Sequence, residues 1–110
     1  MGKDTLGEFE LLVLLACVRL GEDDAYAVSI VDEIRQRTGR DLHRAAVYIT
    51  LQRLEKKGLV STRLGPPLAE RGGKARRTVR VESSGKEAIR LSQQALQRMW
   101  VGLGPQLEDR

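Results

Sequence analysis

A chain of 110 residues, 41% hydrophobic and 31% charged, has the balance of one soluble globular domain and not of a disordered chain. Its core must be small, and a partner subunit is an economical way to complete it. One histidine and one cysteine exclude a disulfide framework, a multi-cysteine zinc site and a nucleophile–base cluster, so no cofactor, no metal and no enzymatic role is expected.

The net charge of +4 is modest, but its placement is uneven. Residues 35–80 hold 13 of the 19 lysines and arginines and only three of the 15 acids, so that stretch is ten charges positive and the rest is six negative. A cationic middle between acidic flanks is the footprint expected for a polyanion.

The spacing of Phe9, Leu12, Val13, Ala16 and Leu20 predicts a first helix over about Thr5–Leu20. Leu11, Leu14, Leu15 and Val18 make it apolar almost all round, so it is buried on more than one side, the second belonging to another subunit. The run Leu11–Val18 is too short to span a bilayer, and Asp4, Glu8 and Glu10 before it argue against a signal peptide. Cys17 reads as a small buried hydrophobe, and a cytoplasmic location with no membrane role is expected.

Gly21 ends this helix, and Glu22-Asp23-Asp24 forms a polar turn able to cap the next. That second helix, about Ala25–Arg37, presents Ala27, Ile30, Val31 and Ile34 to the core and stops at Gly39. A short turn leads into a third helix over residues 43–57, giving a helix-turn-helix layout. Val47, Leu51 and Leu54 share its narrow inner face, while Ala45, Tyr48, Ile49, Gln52, Arg53 and Lys56 lie on its sides and far face. With Arg44 these are side-chain types that reach phosphates and base edges, so the third helix is expected to read DNA. Ala45 and Ile49 suit a thymine methyl, and Gln52 suits adenine.

Strand patterns at Leu59–Leu64 and Arg76–Glu82 flank a glycine- and proline-bearing stretch, predicting a β-hairpin. Arg71, Lys74, Arg76 and Arg77 make residues 65–77 a cationic wing for the DNA backbone or minor groove. Arg53 and Lys56 join Lys74, Arg76 and Arg77 as expected phosphate ligands. Gly72-Gly73-Lys74 is not a nucleotide phosphate loop, because Leu68 and Ala75 occupy the positions that need glycine and a hydroxyl residue. Ser84 and Glu87 fit a capping box for a last helix running to about Val101. Its stripe of Ile89, Ser92, Leu96, Met99 and Leu103 has little of its own domain to cover, so pairing with a second chain is expected. The interface candidates are Leu11, Leu15, Val18, Ile89, Leu96, Met99, Trp100 and Leu103.

The fold class that follows is mainly α with a small β-hairpin. A winged helix-turn-helix is expected over residues 1–83, a dimerisation helix over 84–103 and a frayed tail over 104–110. Gly7-Glu8-Phe9-Glu10-Leu11-Leu12-Val13-Leu14-Leu15, Ala25-Tyr26-Ala27-Val28, Ala46-Val47-Tyr48 with Leu51-Gln52-Arg53-Leu54-Glu55-Lys56-Lys57-Gly58-Leu59-Val60, and Arg71-Gly72-Gly73-Lys74-Ala75-Arg76-Arg77 resemble the PadR family of bacterial winged-helix transcriptional regulators. The resemblance covers about residues 7–100. It implies a homodimer whose last helix packs on the partner's first, and repression through double-stranded DNA carrying a pseudo-palindromic operator. It also makes a flat aromatic molecule beside Trp100 a candidate effector; a sensor or protein-binding module with no DNA role is the competing reading. Three positions depart from the family pattern: Ala27 stands for a glycine, His43 for a small N-cap residue, and Thr78-Val79 follow Arg76-Arg77 where a tyrosine is usual. The last departure removes the aromatic expected to anchor the wing.

Overall fold

A computed structural model describes residues 6–67 and 75–108. In chain order the elements are α1 (Glu8–Leu20), α2 (Ala27–Thr38), α3 (Arg44–Lys56), β1 (Val60–Pro67), β2 (Ala75–Val81), α4 (Ser83–Trp100) and α5 (Gly104–Leu107). The first three helices enclose a core of Val13, Leu14, Ala16 and Cys17 from α1, Ala27, Ile30, Val31 and Ile34 from α2, and Val47, Leu51 and Leu54 from α3, closed at the hairpin by Val60 and Val79. The α2 core face is the predicted one. That of α1 is rotated: Leu14 and Cys17 are buried, whereas Phe9, Leu12 and Leu20 are only partly so. A helix apolar all round carries no periodicity that fixes its rotation.

Several ends differ from expectation because side chains bond across a turn. Glu10 accepts from the Gly7 backbone N–H at 3.0 Å, and α1 begins at Glu8, with Gly7 as its N-cap; Thr5, the expected start, lies outside the described residues. The acidic turn does not cap α2 through its side chains. Instead Ser29 Oγ accepts from the Tyr26 N–H at 3.0 Å and donates to the Asp24 carbonyl at 2.6 Å. Glu22 and Asp23 face the hairpin, 3.7 Å from Arg80 and 4.0 Å from Arg63. Ser84 is not the N-cap of α4; Glu82 holds that place, and the Ser84 hydroxyl donates to the Gly58 carbonyl at 2.7 Å. Glu87 pairs with Arg90. The tail expected to fray forms the short α5, with proline in its first turn and Leu107 N–H bonded to Leu103 O.

Gly58 stops α3 with φ +79°, a conformation that L side chains rarely adopt. The N–H of Leu59 then reaches Leu54 O and that of Gly58 reaches Glu55 O, the paired bonds of a Schellman motif. This turn delivers the chain into β1. The strands pair antiparallel from Val60↔Val81 to Leu64↔Arg77, then resume at Pro67↔Ala75 after a bulge. The N–H of Val79 donates to the Ala25 carbonyl at 2.9 Å, locking β2 to the α1–α2 turn.

α4 leaves this body. Only Gly85 in its first turns is buried, and Leu91, Leu96, Met99 and Trp100 are exposed. The radius of gyration is 16.0 Å, against about 13 Å for a compact domain of this length. The excess belongs to a helix projecting from the globule.

Candidate nucleic-acid interface

Inward anchoring by Val47, Thr50, Leu51 and Leu54 sets the rotation of α3. At about 100° per residue, the opposite face is then centred on Ala45, Ile49, Gln52 and Lys56, with Arg44 and Tyr48 on one flank and Arg53 on the other. All seven are exposed, Tyr48 by 53% and Ile49 by 51%. The His43 side chain makes no cap bond; the His43 carbonyl accepts from Ala46 and Val47 as α3 begins.

The hairpin joins the Arg44–Tyr48 flank. Arg77 Nη1 donates to Thr62 Oγ1 at 3.1 Å, and Thr62 Oγ1 donates to Glu55 Oε2 at 3.2 Å. Glu55 lies on the same flank of α3 as Arg44 and Tyr48, so the relay sets the hairpin beside the outer face of that helix. Neither Thr62 nor Glu55 stood out in the sequence, since a threonine in a strand and a glutamate on a helix are ordinary there. On the other flank, Lys57 Nζ lies 3.0 Å from Glu10 of α1. Burial raises the pKa of Glu10, but the Gly7 N–H, Lys57 and the field of Arg53 outweigh it, and the net shift is downward. Arg53 is thus partly balanced by α1, whereas Arg44 has no acid within ion-pairing distance among the described residues.

The predicted wing cations separate. Arg77 is exposed beside α3. Arg76 is half-buried, with its guanidinium carbon 4.1 Å from the centroid of the Tyr26 ring. Arg71 and Lys74 lie outside the described residues.

The candidate interface residues divide too. Leu11, Leu15, Ile89, Leu96 and Trp100 line one groove of about 370 Å³ between α1 and α4, joined by Gln93 and Gln97. Val18 borders a different cleft beside Cys17 and Lys86, and Met99 and Leu103 are exposed but line neither. Burial pushes the Cys17 thiol up to about 12. Among the described residues, no cluster of His, Cys, Asp or Glu could hold a metal ion, and no helix is long and apolar enough to cross a membrane.

Three helices, a Schellman turn and an antiparallel hairpin set against the third helix define a winged helix-turn-helix. The model of the PadR-like transcriptional regulator family matches residues 14–91, and the chain belongs to that family. It is therefore a transcriptional regulator, and its family is one of transcription factors and not of enzymes. Solved structures agree on the fold. A PadR family regulator from Clostridium difficile R20291 superposes with TM-score 0.73 at 20% identity, over 93% of this chain and all of the other. One from Eggerthella lenta DSM 2243 gives 0.69 at 24% identity, over 90% and 83%. A transcriptional regulator from Clostridium thermocellum gives 0.69 at 16% identity, over 90% and 92%. No curated protein matches the chain.

Proposed function

We propose that this regulator is a homodimeric repressor of the bacterial cytoplasm that binds double-stranded DNA. α3 lies in the major groove, and the wing lies on the backbone or in the minor groove. The observation that carries this reading is the outer face of α3, where a tyrosine and an isoleucine stand half-exposed among Arg44, Gln52 and Lys56. A helix serving only the core has no use for large exposed side chains there. A major groove offers thymine methyls and base edges to them, and phosphates to the cations. Arg44, Ala45, Tyr48, Ile49 and Gln52 face bases. Arg53, Lys56, Arg77 and the wing residues Arg71 and Lys74 hold phosphates.

The exposed apolar side chains of α4 and the groove against α1 support a two-fold dimer, with the last helix of each chain on the partner's first. Two α3 helices then enter the groove one turn apart, about 34 Å, and the operator is pseudo-palindromic. Selection of bound sequences from a random duplex pool tests this reading. The expected outcome is a two-fold motif, bound less tightly by Tyr48→Ala. Failure to retain any duplex at low salt, or unchanged binding by folded Tyr48→Ala and Arg44→Ala variants, overturns it.

A second reading is favoured by the groove itself. Trp100, 58% exposed, lines it together with leucines, a surface suited to a planar aromatic effector. Because Trp100 is the only tryptophan, its fluorescence reports occupancy directly. Titration with planar aromatics is expected to quench it, and neither quenching nor a spectral shift removes the effector.

A further inference from the structure

Residue 76 sits where the ladder is weakest. Leu64 pairs with Arg77 and Pro67 with Ala75, so Gly65 and Pro66 together oppose Arg76 in a bulge. Backbone pairing with β1 is interrupted at that point. What meets Arg76 instead is the ring of Tyr26, 4.1 Å from the guanidinium carbon. Tyr26 is itself held: its N–H is bonded by Ser29 Oγ at the start of α2, and the preceding residue, Ala25, accepts the Val79 N–H. The stack therefore runs from a braced helix start to the end of β2 nearest residues 68–74.

The Nε of Arg76 is buried and has no hydrogen-bond partner among the described residues. Bidentate capture of a phosphate by arginine commonly uses that edge of the fork, and here protein covers it. Leaving a buried donor unpaired is costly, so the side chain holds this position through its stacked plane and not through hydrogen bonds at Nε.

We propose that Tyr26 is a positioning residue for the wing: its ring holds Arg76 as a strut across the bulge, in place of the aromatic absent from β2, and Arg76 is not a phosphate ligand. The proposal deepens the DNA-binding reading and rests on it. Tyr26 touches no base in this scheme; it acts by fixing the path of β2 into the wing.

The test measures affinity against salt for the duplex recovered by selection, using the wild-type protein and Tyr26→Leu, Tyr26→Phe, Arg76→Lys and Arg76→Met. A strut predicts that Tyr26→Leu, Arg76→Lys and Arg76→Met each weaken binding about five- to tenfold. It also predicts an unchanged salt slope, a Tyr26→Leu/Arg76→Met double variant no weaker than either single one, and near wild-type binding by Tyr26→Phe. A phosphate ligand predicts the reverse: Arg76→Lys binds normally, and Arg76→Met lowers the slope by about 0.9 per chain. That result overturns the proposal, as does a Tyr26→Phe protein as weak as Tyr26→Leu. Hydrogen exchange on the free proteins is independent of DNA. The Val79 amide is expected to exchange faster in Tyr26→Leu and Arg76→Met, and unchanged exchange overturns the strut. A wild-type protein that binds no duplex but shows this exchange pattern defeats the DNA-binding reading while leaving the strut in place.

Discussion

The backbone of Gly85 in α4 lies directly against the carbonyl of Leu59 at the head of β1. A Cβ on residue 85 would overlap that oxygen and crowd Cγ1 of Val81. The same junction carries two bonds, Glu82 N–H to Leu59 O and Ser84 Oγ to Gly58 O. Gly85→Ala is therefore expected to force α4 away from the hairpin and to cost about 3 kcal/mol, the upper end for overpacking, because a backbone carbonyl cannot rotate away. Urea denaturation checks this; a loss below about 1 kcal/mol would mean that the junction relaxes freely.

Glu10 and Lys57 join α1 to the end of α3. The folded pKa of Glu10 lies below its ordinary 4.5, so the pair stabilises the fold above pH 4.5 and its contribution fades as pH falls through the folded value. Glu10→Gln is expected to lower stability by about 1 kcal/mol at pH 7 and by progressively less as pH falls below 4.5. Denaturation midpoints across that range decide it, and a deficit equal at both ends would point to packing instead of charge.

Cys17 has the opposite sign. Its folded pKa of about 12 exceeds the ordinary 9.0, so the buried neutral thiol contributes stability that is whole below pH 9 and lost as pH rises toward 12. The native protein is expected to resist thiol reagents at pH 8 and to react promptly in denaturant. Cys17→Ala should flatten part of the alkaline stability loss. Rapid labelling of the folded protein would contradict the burial.

Leu96 is 46% exposed within the single chain, although it lines the α1–α4 groove. Leu96→Glu is expected to leave helix content unchanged, shift the protein to monomer in sedimentation and weaken operator binding more than tenfold, since one half-site then binds alone. A Leu96→Glu protein that remains dimeric would place the two-fold interface elsewhere.

Lys56 is exposed on the outer face of α3, whereas Arg53 shares the field of Glu10. Lys56→Ala is expected to reduce the salt slope of binding by about 0.9 per chain, and Arg53→Ala by less. Equal slopes for the two variants would show that the neighbouring carboxylate does not matter once DNA is bound.

Much of the fold could be read from one dimension. The order of three helices, hairpin and last helix follows from repeats of three and four, from alternation, and from Gly39 and Gly58 as stops; each signal spans only a few residues. For α2 and α3, with polar positions on one side, periodicity also named the buried face. The exposed set of α3, proposed to face DNA, is simply its complement. In α1 the apolar residues encircle the helix, and only contact with α2 and α3 selected Leu14 and Cys17 over Phe9 and Leu12 for burial. The serines show the same limit. Ser84 had a local role available as a cap, but Gly58, 26 residues away in sequence, captured its hydroxyl.

Which elements form, and in what order, follows from the linear order of residues, because backbone hydrogen bonding and side-chain periodicity are local. How equivalent side chains divide their work depends on the packed fold. Arg76 and Arg77 are adjacent cations of one strand, yet one lies on the Tyr26 ring and the other bonds to Thr62 beside α3. Neighbouring residues in a strand point to opposite faces, and what each face meets is set by segments distant in the chain.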